Sequence, residues 1–362
     1  EAYQSEVYLK TTVTMNGTDY LISGRADGVQ TTDDGILIEE IKTSDQAFDD
    51  LTDNTRDLYW AQVQVYGYLI LQAHPDLDEV TLQLTYFQVL NEKITKTQRV
   101  LTRVALEAFF KDLITEYEYW LTLRADLRKQ RNASIKDLPF PFPSYRTGQH
   151  ELAAAVYKTI HFQKRLFVEA PTGTGKTIST LFPAIKAMGE DEIERIFYLT
   201  AKQSTRHVAE EALTLMGQDG LRLKSITLTA KDQIRFPEEQ DVRPEENPFM
   251  IGYYDRLKPG LKDILTHETQ LTRSVIEKYA RAHTLDPFEF SLDISLFCDV
   301  IICDYNYLFD PLVYLQRFFS EEDLDNFFLV DEVHNLVSRA RAMYSAEISD
   351  APIAHLLKLA KP

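Results

Sequence analysis

Three clusters of residue types in this 362-residue chain could do chemistry. The first is the stretch 170–177, reading APTGTGKT, directly after the apolar residues Leu166, Phe167 and Val168. A strand ending in such a loop offers a polyphosphate a row of backbone N–H groups, a lysine charge and the positive end of the following helix. Gly173 and Gly175 let the backbone turn tightly and approach phosphate oxygens, with Thr172 and Thr174 in the same cradle; Lys176 is expected to reach the outer phosphates and the Thr177 hydroxyl to ligate magnesium. The ligand this implies is ATP or another nucleoside triphosphate. The second cluster closes the apolar run 327–330, where Asp331, Glu332, Val333 and His334 stand where a parallel strand delivers carboxylates to the edge of a nucleotide site. Asp331 is expected to hold magnesium through water, and Glu332 is the candidate general base for the attacking water. His334 has no obvious catalytic duty and suits a link between phosphate state and a neighbouring domain. Alone, DEVH reads equally as an acidic helix cap; paired with the phosphate loop it indicates an ATPase. In the third cluster, Asp27 lies in one strand of an expected hairpin while Glu40 and Lys42, one residue apart, share a face of the next. Two carboxylates and a lysine converging there would bind one or two magnesium ions and orient a water against a phosphodiester. Glu6 is a further acidic residue upstream whose position the pattern leaves open.

The elements that must position these groups follow from hydrophobic periodicity. Residues 21–29 and 36–43 alternate as two strands around the turn-rich TTDDG, and a helix is expected around 60–71, a strand near 80–89 and a long amphipathic helix over about 102–131. The basic end of that helix, RKQR, suits the negative end of the helix dipole. Residues 138–144, LPFPFPS, cannot continue a helix or central strand, so a first domain is expected over 1–137, a Pro-rich linker over 138–144 and a second domain over 145–362. Buried strands are expected at 166–168, 196–199, 300–303 and 327–330.

Net charge constrains the partners. A formal charge of −17 argues against indiscriminate adhesion to polyanions, so nucleic-acid contact must run through local basic surface. Lys202, Arg206 and His207 form one such group; Arg256, Lys258 and Lys262, after the paired Tyr253 and Tyr254, form another suited to single strands. A solvated charged face is the plain alternative for each. No apolar run is long enough to span a bilayer and no cleavable leader is visible, although the chain opens at Glu1 rather than methionine; two cysteines, Cys298 and Cys303, make no disulfide framework and fit a reducing cytoplasm.

The order Asp27, Glu40-x-Lys42, Gln62-x-x-x-Tyr66 resembles the RecB-type nucleases of the PD-(D/E)XK superfamily. By that resemblance Asp27 and Glu40 are metal ligands, Lys42 positions the nucleophile, and Gln62 and Tyr66, one helical turn apart, support the site and touch DNA. From residue 145 onward, YRTGQ, APTGTGKT, FYLTAKQSTRHVAEEAL, VIICDYNYLFDP and LVDEVHNLVSRARAMYSAEI succeed one another as in helicases of the DinG and XPD type. That resemblance implies adenine contact through Arg146 and Gln149, DNA-backbone contact near 200–206 through Lys202 and Arg206, and 5′ to 3′ movement along single-stranded DNA. Alanine at position 170, where the strict phosphate-loop pattern has glycine, is common in superfamily 2.

Two departures from the family qualify this. The four cysteines that hold an iron–sulfur cluster in the family fall here on Arg235, Val242, Asn247 and Asp286, so the insert over about 229–290 is expected to fold without iron, by packing and ion pairs. The chain also stops soon after DEVH, before any second RecA-like lobe, so slow hydrolysis and a longer parent protein are expected. The fold class is α/β: a PD-(D/E)XK-like mixed sheet flanked by helices, then a RecA-like parallel sheet interrupted by a mostly helical insert. The leading functional reading is an ATP-dependent DNA helicase fused to a magnesium-dependent nuclease, acting in DNA repair or replication on single-stranded or tailed DNA. Its alternatives are a helicase with a non-cleaving DNA-binding platform and an ATP-switched interaction module.

Overall fold

Alternating apolar and polar residues in the first third of the chain, and short unbroken apolar runs in the rest, build two sheets of different kinds. The computed structural model describes residues 3–32, 35–171, 173–240, 242–243, 246–319 and 325–346. The chain divides into two compact units, Glu1–Ala125 and Asp126–Pro362.

The first unit is a five-stranded sheet in the order β1-β2-β3-β4-β5, comprising β1 (Tyr3–Met15), β2 (Thr18–Thr32), β3 (Gly35–Ser44), β4 (Glu79–Gln88) and β5 (Lys93–Thr102). All neighbours are antiparallel except β3 and β4, which run parallel and are joined through α1 (Asp53–Ala73). The expected hairpin is β2 and β3, with Gly28 opposite Glu39. Helix α1 is capped by the Thr52 side chain, which accepts from the Thr55 N–H, and it packs Trp60, Val63 and Ile70 on Ile38, Leu82 and Leu84 of the sheet. The parallel crossover therefore lays α1 over the sheet face that carries Glu40 and Lys42. Helix α2 (Arg103–Lys136) starts in this unit. It runs five residues past Arg131, so RKQR is not its last turn; instead Arg128 pairs with Asp191 at 2.8 Å, and the buried Arg131 pairs with Asp299 at 2.8 Å. An ion pair inside the unit outweighs a dipole interaction that fades within one turn.

In the second unit, α3 (Gln149–His161), α4 (Lys176–Gly189), β6 (Arg195–Leu199), α5 (Gln203–Gln218) and β7 (Ser225–Thr227) precede the insert helices. These are α6 (Lys231–Ile234), α7 (Tyr253–His267), α8 (Arg273–His283) and α9 (Pro287–Ser295), with β8 (Gln270–Leu271) between α7 and α8; β9 (Val300–Cys303), α10 (Asn306–Phe309), β10 (Asn326–Val330) and α11 (Leu336–Met343) follow. The sheet is wholly parallel in the order β10-β6-β9-β7-β8, and its core packs α4 and α5 against Ile196, Val300 and Ile302. Three of the four expected strands form. The fourth does not: residues 164–170 have no regular structure, and Phe167 is 84% exposed. Three apolar residues carry no hydrogen-bond ladder of their own, and among the described residues no strand pairs with them. The Pro-rich stretch 138–144 is packed, with Leu138 buried and Phe140 stacked on Tyr145 at 3.9 Å. No helix among the described residues is long and apolar enough to cross a membrane.

Candidate functional sites

The phosphate-loop sequence turns as its glycines allow. Gly173 and Gly175 both have positive φ, 80° and 73°, and Gly175 caps the N-terminus of α4. A side chain at Gly175 would also collide with the Gln149 amide, which would lie 2.1 Å from its Cβ. Gln149 is buried and its Oε1 accepts from the Arg146 N–H at 2.7 Å, while Arg146 donates through its guanidinium to the Gly173 carbonyl at 2.7 Å. The two residues read as adenine contacts thus brace the loop from behind. Thr174 donates to the Pro171 carbonyl at 2.8 Å, and Thr172 lies outside the described residues.

The acidic motif meets this loop. Pairing of β10 with β6 sets the Asp331 N–H on the Leu199 carbonyl at 2.9 Å, which delivers the two carboxylates to the same strand ends as the loop. Lys176 Nζ lies 3.3 Å from Glu332 Oε1, and His334 Nδ1 lies 3.5 Å from Glu332 Oε2. Glu332 has a left-handed backbone (φ 52°), so the chain turns sharply after the strand. Thr177 and Asp331 share a neighbour that sequence reading missed: Tyr198 on β6, whose hydroxyl is 3.4 Å from Thr177 Oγ1 and donates to Asp331 Oδ2 at 3.1 Å. Tyr305 donates to the carbonyls of Asp331 and Glu332. A hydroxyl and a carboxylate joined to one tyrosine in this way are hard oxygen donors of the kind a magnesium ion takes.

The basic groups behave differently from their sequence pattern. Lys202 is exposed, but Arg206 is turned inward onto Asp304 at 3.3 Å, where Arg339 also donates at 2.7 Å. Tyr253 is not a stacking partner on the surface; it is buried and donates to Asp293 at 2.8 Å, leaving Tyr254 exposed, while Arg256 donates to the carbonyls of Thr284 and Pro248. A tyrosine in the core keeps its hydroxyl only where it finds an acceptor, and spacing alone does not reveal that.

Within the insert, three of the four positions aligned with cluster cysteines gather into one buried polar group. Arg235 Nε is 3.7 Å from Asp286 Oδ2; Asn247 donates to the fully buried Glu239 at 3.0 Å and Glu239 accepts from the Phe236 N–H at 2.8 Å. Asp286 also caps α9 by accepting from the Glu289 N–H. Burial pushes the Glu239 carboxyl up, against its bonds from Asn247 and Phe236, and the nearby Asp286 carboxylate adds to the rise.

The first unit holds the second site. Asp27 Oδ2 accepts from the Ile41 N–H at 2.6 Å, across β2 and β3. Lys42 Nζ donates to Glu40 Oε1 at 2.6 Å and to Gln62 Oε1 at 2.8 Å, and the Gln62 amide donates to the Tyr66 hydroxyl at 3.3 Å. All five residues of the sequence pattern are therefore neighbours. Tyr66 fits because Gly24 has no side chain: a Cβ there would lie 2.7 Å from its ring. Tyr59, missed in the sequence, holds its ring 5.4 Å from the Lys42 ammonium. Glu6 has a left-handed backbone (φ 57°) between the pairs Ser5–Gly28 and Val7–Ala26, which puts it across β2 from Asp27, and its carboxylate is 3.8 Å from Arg25. Among the described residues no group of three or more His, Cys, Asp or Glu side chains converges on one point; at this site the charge of Asp27 acts on Glu40.

Glu40 gives the test of fit for a cation. It is 2% exposed, and its Oε2 has no hydrogen-bond partner. Burial pushes its carboxyl above the usual glutamate range, opposed by Lys42 and reinforced by the charge of Asp27. A buried carboxylate oxygen left bare beside a second carboxylate is a position that a divalent cation satisfies. Glu39, on the opposite face, is satisfied by protein alone. It accepts from Tyr3, Gln83 and Thr85, and although burial pushes it up, those bonds hold it below the ordinary value.

The two geometries have counterparts among known proteins. Residues 149–258 match the DEAD/DEAH box helicase family, residues 252–353 match DEAD_2, and residues 2–148 match the PD-(D/E)XK nuclease superfamily. The general transcription and DNA repair factor IIH helicase subunit XPD/RAD3 of Saccharomyces cerevisiae is 26% identical over 239 residues, covering 56% of this chain and 30% of the relative. The XPD subunit of Dictyostelium discoideum is 20% identical over 224 residues, covering 54% and 29%. A solved structure titled XPD_Helicase aligns with a TM-score of 0.44 at 20% identity, covering 61% of this chain and 38% of that one. The chain thus spans under a third of the length of these two curated relatives. A phosphate loop joined to a DEVH strand, matched in order by both helicase models and preceded by the Asp, Glu-x-Lys sheet of the nuclease model, supports a DinG/XPD-type helicase domain behind an N-terminal PD-(D/E)XK nuclease-superfamily domain.

Proposed function

We propose that the parent protein is an ATP-dependent DNA helicase, moving 5′ to 3′ on single-stranded DNA, joined to a magnesium-dependent nuclease and acting in DNA repair or replication. The observation that carries this reading is the meeting of Lys176 and Glu332, 156 positions apart in the chain, at 3.3 Å beside Thr177 and Asp331. Lys176 leaves Glu332 for the outer phosphates when ATP enters, which frees that carboxylate to accept a proton from water. Magnesium, when bound, neutralises phosphate charge and polarises the transferred group. Thr177 and Asp331 would hold it. Gly173, Gly175 and the α4 N-terminus supply N–H groups to the phosphates; Arg146 and Gln149 keep the loop in shape beside the adenine. Lys202, exposed at the start of α5, suits a DNA phosphate. Arg206 must first give up Asp304.

In the nuclease reading Asp27 and Glu40 hold the metal, Lys42 steers the attacking water, and Gln62 and Tyr66 fix Lys42. The bare, buried Glu40 oxygen supports this. The insert is proposed to hold no iron–sulfur cluster, its place taken by the Arg235, Asn247, Glu239 and Asp286 group. Two free, buried cysteines suit a reducing, cytoplasmic setting. The test is unwinding of a tailed duplex by the full-length protein: Lys176→Ala should abolish it along with ATP turnover, and unwinding that persists would overturn the assignment.

A further inference from the structure

We propose that Tyr198 is a positioning residue of the nucleotide site: its hydroxyl, set between Thr177 and Asp331, fixes the direction of the lone pairs that these two groups present to magnesium. The proposal rests on the ATP-site reading above and adds a residue that neither the phosphate-loop pattern nor the acidic motif contains.

Tyr198 is 2% exposed and belongs to the core beneath α4. Phenylalanine would fill that space, so the hydroxyl requires its own account, since a buried O–H destabilises unless it is bonded. It is placed by two independent elements. Thr177 comes from the first turn of α4; Asp331 comes from the end of β10, held in register by its N–H on the Leu199 carbonyl, one residue beyond Tyr198. The phenol has one proton. An ionised carboxylate only accepts, so that proton goes to Asp331 at 3.1 Å, and the remaining contact, 3.4 Å to Thr177, is made with Thr177 as donor. This chain runs one way, from Thr177 through Tyr198 to Asp331. It turns the Thr177 proton inward and leaves the hydroxyl lone pairs facing the loop, as a metal ligand requires. It also engages Asp331 Oδ2, while Oδ1 accepts from the Glu332 N–H at 3.0 Å, so the carboxylate cannot rotate freely.

The experiment uses the whole chain, a fluorescent ATP analogue as probe and a magnesium titration. Tyr198→Phe should bind the analogue within about twofold of wild type at saturating magnesium, but should need about tenfold more magnesium for half-maximal binding, the size of one hydrogen bond to a charged group. A packing role alone would shift melting and leave that midpoint unchanged, which would overturn the proposal. Repeating the substitution in an Asp331→Asn background removes any general loss of folding from the comparison: effects that fail to add support the chain of bonds, and additive effects refute it. Lys176→Ala separates the two readings. If it binds the analogue as wild type does, the ATP site itself is misassigned; if it loses binding while Tyr198→Phe titrates as wild type, only the role of Tyr198 falls.

Discussion

Glu40 carries an uncompensated oxygen in a place where water does not reach. With its carboxyl pushed up by burial, the folded protein holds the Glu40 proton more tightly than the unfolded chain does. The associated stability is complete below the ordinary glutamate range and is lost as pH rises through the raised folded value. A divalent ion competes with that proton. Metal affinity of the Glu40 site is therefore expected to fall, on acidification, at a higher pH than an ordinary carboxylate would dictate, as a manganese titration by electron paramagnetic resonance at several pH values would read out. Glu40→Gln should remove both the metal affinity and its pH dependence, yet leave the melting temperature within a few degrees, because a neutral amide relieves the cost of a buried charge that outweighs the pull of Lys42. A melt lowered by tens of degrees would instead make Glu40 a structural ion-pair member.

The insert shows how an element can be held together without a metal. Asp286, fully buried, does two jobs, as partner of the partly exposed Arg235 and as cap of α9. Asp286→Ala should lower stability by about 3 kcal/mol, from the lost cap and a stranded guanidinium. Loss should appear first in hydrogen exchange of α9, with the amides of β6 still protected. Uniform exchange across the unit would mean that the cluster braces the whole sheet. Purified protein is also expected to be colourless, and a visible iron–sulfur absorbance with stoichiometric iron would contradict the proposed replacement. The same scale explains why β1 and β5 went unread while β3 and β4 did not. β1 and β5 lie at the sheet edges with most of their side chains exposed, and in β5 apolar residues alternate only weakly.

At the scale of the molecule, the residues of the two candidate sites lie in separate units. Substitutions in one should leave the other working. In the full-length protein Asp27→Ala or Lys42→Ala is expected to abolish magnesium-dependent cleavage of single-stranded DNA with ATP turnover within about twofold of wild type, and Lys176→Ala the reverse. Simultaneous loss of both activities from either substitution would mean that the units depend on one another. If wild type never cleaves, the first unit is a binding platform.

Composition and spacing carry the candidate motifs: a glycine loop with lysine and threonine, a DEVH box, and Asp, Glu-x-Lys with Gln and Tyr one helical turn apart. These signals survive in sequence because each is a run of local positions whose backbone or face is set within a few residues. The packing partners were not legible. Tyr198 between two motifs, Arg206 folded onto Asp304, Tyr253 in the core and the bare Glu40 oxygen depend on which distant side chain arrives opposite. The expected strand at 166–168 failed for the same reason, since a strand exists by virtue of the ladder beside it. Burial and hydrogen-bond pairing are properties of the folded surroundings, and only the tertiary structure decides them.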